Sequence, residues 1–255
     1  MNVAAFFARI GNRIISVIVA VFILLMLLYG GYSLWDTAML YKGAFISNDL
    51  LEFKPSLDNP DTPTLSELIK INPDVRGWLT IDDTHIDYPV VQGADDMEYI
   101  NKDVYGEFAL SGSIFMDSRN SEDFSDSYNL LYGHHMSNGA MFGDIVEFVD
   151  TDYFQSHKTG ILFTANGMNY HLELFACVEI DAFDSIVYNP TALEPGNVQP
   201  LIDYIQRIAV QYRDIGVEAQ DKIIGLSTCS EAETNGRVVV FGKMVRLEQV
   251  QEGGT

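Results

Sequence analysis

Ile223-Ile224-Gly225-Leu226-Ser227-Thr228-Cys229 is followed, after a short polar stretch, by Gly236-Arg237-Val238-Val239-Val240-Phe241-Gly242. Both runs are rich in β-branched side chains, which favour a pleated, half-buried surface. The connection between them is short enough for a hairpin, so the chain closes on two adjacent β-strands (Ile223 to Ser227 and Arg237 to Val245) with Cys229 and Arg237 brought back beside each other. A cysteine at a strand end is exposed at the rim of a sheet. A guanidinium there favours its thiolate form and can offset negative charge that develops on a substrate oxygen. Backbone amides around Ser227 to Ser230 offer further donors.

Working outward, apolar runs bounded by turn residues recur upstream. They are Trp78 to Ile81, Ile86 to Val91, Ser113 to Met116, Asn129 to Tyr132, Gly160 to Phe163 and His171 to Ile180. Short strands separated by turns predict a barrel or a sandwich. The run Asn129 to Tyr132 leads into Gly133-His134-His135-Met136, which puts an imidazole, His134, at the same kind of rim. Thiol, imidazole and guanidinium are the parts needed for acyl transfer through a thioester.

Helical signals are few. Thr64-Leu65-Ser66-Glu67 reads as a capping box opening a short helix that ends at Asn72-Pro73. Leu201, Ile205, Ile208, Tyr212 and Ile215 fall on one face at helical spacing, which predicts a helix from about Val198 to Ile215 with Gly216 as its C-cap. Thr37 to Phe53 reads as a stalk or packing helix, and Lys54 to Thr64, with three prolines, as a linker.

The N-terminus is of another kind. Ile14 to Trp35 carries no charge and as a helix spans roughly 33 Å at about 1.5 Å per residue, enough for a bilayer. A cleavable signal peptide is the competing reading, but its apolar core is usually only about 7–15 residues long. Arg9 and Arg13 precede the run and Asp36 is the first charge after it, so the positive-inside bias predicts a cytoplasmic N-terminus and an exterior remainder. The expected organisation is residues 1–13 cytoplasmic, 14–35 a transmembrane anchor, 36–63 stalk and linker, and 64–255 the catalytic domain.

The net charge is −21, and since the first 35 residues hold Arg9 and Arg13 and no acid, the remainder carries −21 − 2 = −23. Such a surface argues against nucleic acid, whose phosphates need a basic footprint, and disfavours close docking onto anionic lipid. Outside the cytoplasm, the two cysteines raise the question of a disulfide. A domain of this size needs no staple, however, and Cys177 lies in the alternating run Leu172 to Val178, where a buried small side chain is expected. Cys229 is then a free thiol. No metal-ligand cluster or phosphate-binding loop is evident, so no cofactor is expected, and no calcium ligand set can be identified.

These segments carry a resemblance. Leu226-Ser227-Thr228-Cys229 is similar to the sortase motif Thr-Leu-x-Thr-Cys from its second position, with Gly225 where Thr is usual. Gly236 to Val240 resembles the segment bearing the family arginine. Tyr132 to Met136 with Gly139 to Asp144, Asn72 to Trp78, and Ile86 to Gln92 resemble class B sortases. The resemblance implies a mainly β fold: an eight-stranded β-barrel with N-terminal helices and a long helix before the cysteine strand, preceded by a transmembrane helix. It implies Cys229 as nucleophile, His134 as general acid/base, Arg237 as substrate clamp and oxyanion stabiliser, and Thr228 and Ser227 as lining of the peptide pocket. His135 stands where Asn is common and reads as an exposed loop residue. Glu231 and Glu233 receive no role, and His85, His157 and His171 lie outside any motif. The implied partners are secreted proteins bearing a C-terminal sorting signal, with a peptidoglycan precursor or a pilin amine as acceptor. A hydrolytic cysteine peptidase and a catalytically inactive membrane-tethered scaffold are the rival readings.

Overall fold

The computed structural model describes residues 3–41, 44–56, 64–229 and 235–247, and the chain divides into two compact units, Met1–Lys42 and Gly43–Thr255. The first is one helix, α1 (Val3–Tyr41), 39 residues long. Its part from Arg9 to Met39 is long and apolar enough to cross a membrane. The helix runs through the charged flanks on both sides of Ile14 to Trp35, and so takes in the first residues expected of a separate stalk helix.

The rest of the expected stalk lies on the second unit. Ser47 caps the single turn α2 (Asn48–Leu51) by accepting from the Leu50 amide at 3.2 Å. The Ala44 carbonyl accepts from the Tyr88 hydroxyl at 2.9 Å, and Lys54 pairs with Asp87 at 2.8 Å. The middle of the proline-rich linker, 57–63, lies outside the described residues. Helix α3 (Thr64–Ile71) follows and buries Leu65 and Leu68 against Val75, Trp78 and Phe163.

Nine strands come next: β1 (Val75–Ile81), β2 (Asp87–Val91), β3 (Ile114–Met116), β4 (Tyr128–Tyr132), β5 (Thr159–Thr164), β6 (Tyr170–Asp181), β7 (Gln211–Tyr212), β8 (Lys222–Cys229) and β9 (Gly236–Arg246). Their order is β5-β1-β2-β3-β4-β8-β9-β6, and β6 pairs back onto β5. The sheet is thus a closed eight-stranded barrel without free edges, and the two-residue β7 is added to the outer side of β6. Closure decides for the barrel over the sandwich. All eight strands read from the sequence are barrel strands. Pairs β2–β3 and β4–β8 are parallel and the others antiparallel. Parallel neighbours need long crossovers, and those crossovers supply the loops around the site. Pro89 is tolerated inside β2 because the β3 ladder reaches only Val90 and Val91.

Between β4 and β5 lie a 3₁₀ segment (Gly143–Val149) and α4 (Thr151–Ser156), capped by Asp150. Before β7 stands α5 (Gln199–Ile208), whose Leu201, Ile202 and Ile205 pack on Tyr128, Phe175 and Phe241. The expected helix to Ile215 is corrected here. Ala209 turns to extended backbone, and the chain bonds to β6 through Val210 N to the Cys177 carbonyl at 2.9 Å and Arg213 N to the Phe175 carbonyl at 2.7 Å. Tyr212 and Ile215 still meet the cluster that receives the helix, but from β7 and the irregular chain that follows it. Helical spacing therefore marked the core-facing residues and not the backbone. Gly216, at φ +69°, lies well beyond the end of α5 and caps no helix.

The departure at Gly225 has a packing cause. A Cβ there would lie 2.7 Å from the Tyr128 hydroxyl and 3.1 Å from Leu130 Cδ1. That hydroxyl is buried without a hydrogen-bond partner among the described residues, so tyrosine fills the space that a side chain would take. Gly225→Ala is expected to cost about 1–3 kcal/mol through overpacking, which lowers the melting midpoint of the full chain by roughly 2–4 °C per kcal/mol. In the Tyr128→Phe background the same change should cost less. Equal losses in both backgrounds would contradict this packing account.

Candidate active site

Three chain segments meet at one rim of the barrel. In the β8–β9 ladder Cys229 stands directly opposite Arg237, and Thr228 opposite Val238. On the other side of β8, the parallel partner β4 ends with Tyr132 opposite Ser227, and the Gly133 amide donates to the Ser227 carbonyl at 3.2 Å. His134 follows at once, so both strands deliver their C-terminal ends, and β9 its start, to the same place. The register is held by apolar packing: Leu130, Leu131, Ile224 and Leu226 are fully buried, and a one-residue slip would exchange the side chains packed on the two faces of the sheet.

His134 is half-buried, with Nε2 2.8 Å from the Ile100 carbonyl in the β2–β3 crossover. A carbonyl only accepts, so Nε2 carries the proton and donates it. Proton exchange with a substrate then falls to Nδ1. The loop beyond is closed on itself. Phe142 N donates to the His134 carbonyl at 3.0 Å, and His135 forms a β-bridge with Met141. His135 is half-buried with a buried Nδ1, which corrects the expectation of an exposed loop residue. A Cβ at Gly133 would fall 2.5 Å from Ile114 Cδ1 and 2.7 Å from Phe142 Cγ, so a side chain there would have to displace the Phe142 ring. At the far end Asp144 accepts from the His85 amide at 2.7 Å and lies 3.0 Å from its Nδ1. His157 stacks on Tyr153, and His171 lies at the start of β6 opposite Val245, away from the rim.

Arg237 is half-buried, and its Nη1 donates to the Gly236 carbonyl at 2.9 Å. Ser227 and Thr228 are each 2% exposed. Ser227 Oγ lies 3.0 Å from the Tyr188 hydroxyl, whereas Thr228 Oγ1 has no hydrogen-bond partner among the described residues. The backbone of Cys229 completes β8. Its side chain, Ser230, Glu231 and Glu233 lie outside the described residues. No group of three or more His, Cys, Asp or Glu side chains able to hold a metal occurs among the described residues.

Sequence reasoning missed the polar framework below the rim. Tyr132 stacks on Tyr188, with ring centroids 6.3 Å apart and an interplanar angle of 14°. The Tyr132 hydroxyl donates to the fully buried Asp117 at 2.8 Å. Burial pushes the Asp117 carboxyl up, but the hydrogen bonds and charge of Arg119 outweigh this and hold it below its ordinary value. Burial, reinforced by Asp117, drives the Tyr132 hydroxyl far above the usual tyrosine range. These contacts join residues remote in sequence and carry no motif.

Known proteins share this architecture. The Sortase domain family matches residues 79–245. Sortase B of Listeria monocytogenes serovar 1/2a is 37% identical over 186 residues, 71% of this chain and 74% of that protein. The crystal structure of a Streptococcus pyogenes class B sortase involved in pilus biogenesis is 41% identical with a TM-score of 0.65, covering 71% of this chain and 97% of that one. Sortase B from the Type II pilus of Streptococcus pneumoniae is 38% identical with a TM-score of 0.61, covering 71% and 98%. A closed barrel of this topology, matched along its length, defines a cysteine transpeptidase. The chain belongs to the sortase family, in its class B.

Cys177 is free and fully buried in β6, and burial raises its thiol to about 12. It is therefore an inert protonated thiol. In a Cys229→Ala chain, native protein is expected to resist a small thiol-disulfide reagent for hours and to label fully on unfolding. Rapid native labelling would contradict the burial.

Proposed function

We propose that the chain is a membrane-anchored sortase whose Cys229 thiolate attacks a threonine carbonyl in the C-terminal sorting signal of a secreted protein. Arg237 and backbone amides at the end of β8 hold the tetrahedral oxyanion. His134 protonates the departing amine through Nδ1, leaving a thioester on Cys229. An amine of cell-wall peptidoglycan then attacks the thioester, His134 takes its proton, and the secreted protein is released joined to the wall. The observation that carries this reading is the register at the rim, in which Arg237 is the cross-strand neighbour of Cys229 and the adjacent parallel strand leads into His134. Ser227 and Thr228 form the floor under the bound peptide.

The anchor is α1, with residues 1–13 on the cytoplasmic side and the barrel outside. Arg9 and Arg13 before the apolar run and Asp36 after it support that orientation. A second reading makes the acceptor a lysine amine of a pilin subunit. The pilus association of the S. pyogenes and S. pneumoniae relatives favours it.

The test offers the full chain, in detergent micelles, a quenched peptide library with threonine fixed and its flanking positions varied. Either a wall-peptide amine or a lysine-bearing pilin fragment is added as acceptor. The fastest peptide should be joined to one of the two amines, and which one decides between the readings. Cys229→Ala should abolish turnover, and His134→Ala and Arg237→Ala should each lower kcat/KM by about 10²–10⁴-fold. Turnover that survives in Cys229→Ala, or products that are hydrolytic whatever amine is present, would overturn the proposal.

A further inference from the structure

We propose that Arg119, forked onto the buried Asp117, is a positioning residue for substrate recognition, pinning the segment 182–189 onto the strand ends that lead to His134 and Cys229. This rests on the function proposed above. Asp117 follows β3, and its side chain is 0% exposed. Arg119 Nε donates to Oδ1 at 2.8 Å and Nη2 to Oδ2 at 2.6 Å, while the Arg119 amide adds a third bond to Oδ1 at 3.0 Å. Such a bidentate fork fixes the guanidinium plane.

From that fixed position Nη2 also donates to the Tyr188 carbonyl at 3.0 Å. Tyr188 in turn touches both strands at the rim. Its ring stacks on Tyr132, two residues before His134, and its hydroxyl meets Ser227 Oγ, two residues before Cys229. The Tyr132 hydroxyl returns to Asp117 at 2.8 Å. The result is a closed circuit linking β3, β4, β8 and the segment after β6, in which Arg119 joins the carboxylate to that segment's backbone.

The segment has something to present. Asp184 folds it by accepting from the Ile186 and Val187 amides at 2.9 and 2.8 Å, and Val187 is buried as its anchor. Phe183 and Ile186 are left 80% and 40% exposed, beside the strand end where Ile180 faces Arg237. Apolar side chains held outward at the rim suit contact with an extended peptide, but only while the segment is held in place. A buried carboxylate is costly to leave unpaired, so the fork also ties loop placement to the integrity of the β3 end.

Full-chain Arg119→Lys keeps a cation beside Asp117 but cannot fork the carboxylate and reach the Tyr188 carbonyl together. With the fastest peptide of the threonine-fixed library, its KM should rise about tenfold, which is about 1.4 kcal/mol of binding. Its kcat and the rate at which iodoacetamide alkylates Cys229 should stay within about twofold of the parent. An unchanged KM would overturn the proposal. So would KM, kcat and alkylation all worsening together with a lowered melting midpoint, since that is general destabilisation. If Arg119→Lys does not fold, Tyr188→Phe, which removes only the hydroxyl contact to Ser227, should still raise KM at constant alkylation rate, and an unchanged KM there would overturn the proposal. Cys229→Ala run alongside separates the two claims. Turnover surviving in it overturns the function and this role with it, whereas turnover lost there with KM unaltered in Arg119→Lys overturns the positioning role alone.

Discussion

The parallel ladder between β4 and β8 is the constraint on which the rest of the molecule depends. Antiparallel neighbours would bring opposite strand ends together, but this pair runs from Tyr128↔Ile223 to Tyr132↔Ser227 and delivers two C-terminal ends to one rim. The residues that fill the ladder, Leu130, Leu131, Ile223, Ile224 and Leu226, are fully buried. Neighbours along each strand pack on opposite faces, so a shift of register would disturb both packed faces of the ladder at once. Parallel strands also exclude a tight turn between them. The chain between them therefore has room for the histidine loop and the segment 182–189 at that end, and for the β5–β6 hairpin and α5.

Much of this was legible in the sequence because the strands are short, β-branched and bounded by turn residues. The Cys229–Arg237 pairing was legible for a local reason, since a short connection between two strand patterns makes a hairpin. Closure of the barrel was not. It depends on β6 returning to β5 after pairing with β9, and no spacing in the sequence encodes that choice against a sandwich. The helix read to Ile215 shows the limit of periodicity. Tyr212 and Ile215 are apolar because they cover Phe175 and its neighbours, and the backbone reaches that cover as a strap hydrogen-bonded to β6.

The site divides in the same way. His134 could be read as an imidazole at the same kind of rim, but its pairing with Cys229 rested on family resemblance, because the β4–β8 ladder joins residues far apart in the chain. The framework of Asp117, Arg119, Tyr132 and Tyr188 had no sequence signal at all, since its members are ordinary residues made special by burial and by contacts across three segments. Gly225 is the opposite case: an apparent flaw in a motif becomes a complementary substitution once the Tyr128 hydroxyl is seen in the space beside it.

The chemistry assigned to the rim asks little of the fold beyond alignment: a thiol at a strand end, a cation across the ladder and an imidazole just past the neighbouring strand, fixed by a carbonyl of the β2–β3 crossover. Its central claim is that an acyl group rests on Cys229 between two transfers. The most direct measurement is the intact mass and peptide map of the full chain quenched in acid seconds after mixing with its fastest peptide and no acceptor amine. The account predicts an added mass equal to the peptide up to its threonine, labile to hydroxylamine and located on the fragment containing Cys229. Turnover of the peptide with no adduct at any quench time, or an adduct on another residue, would contradict it.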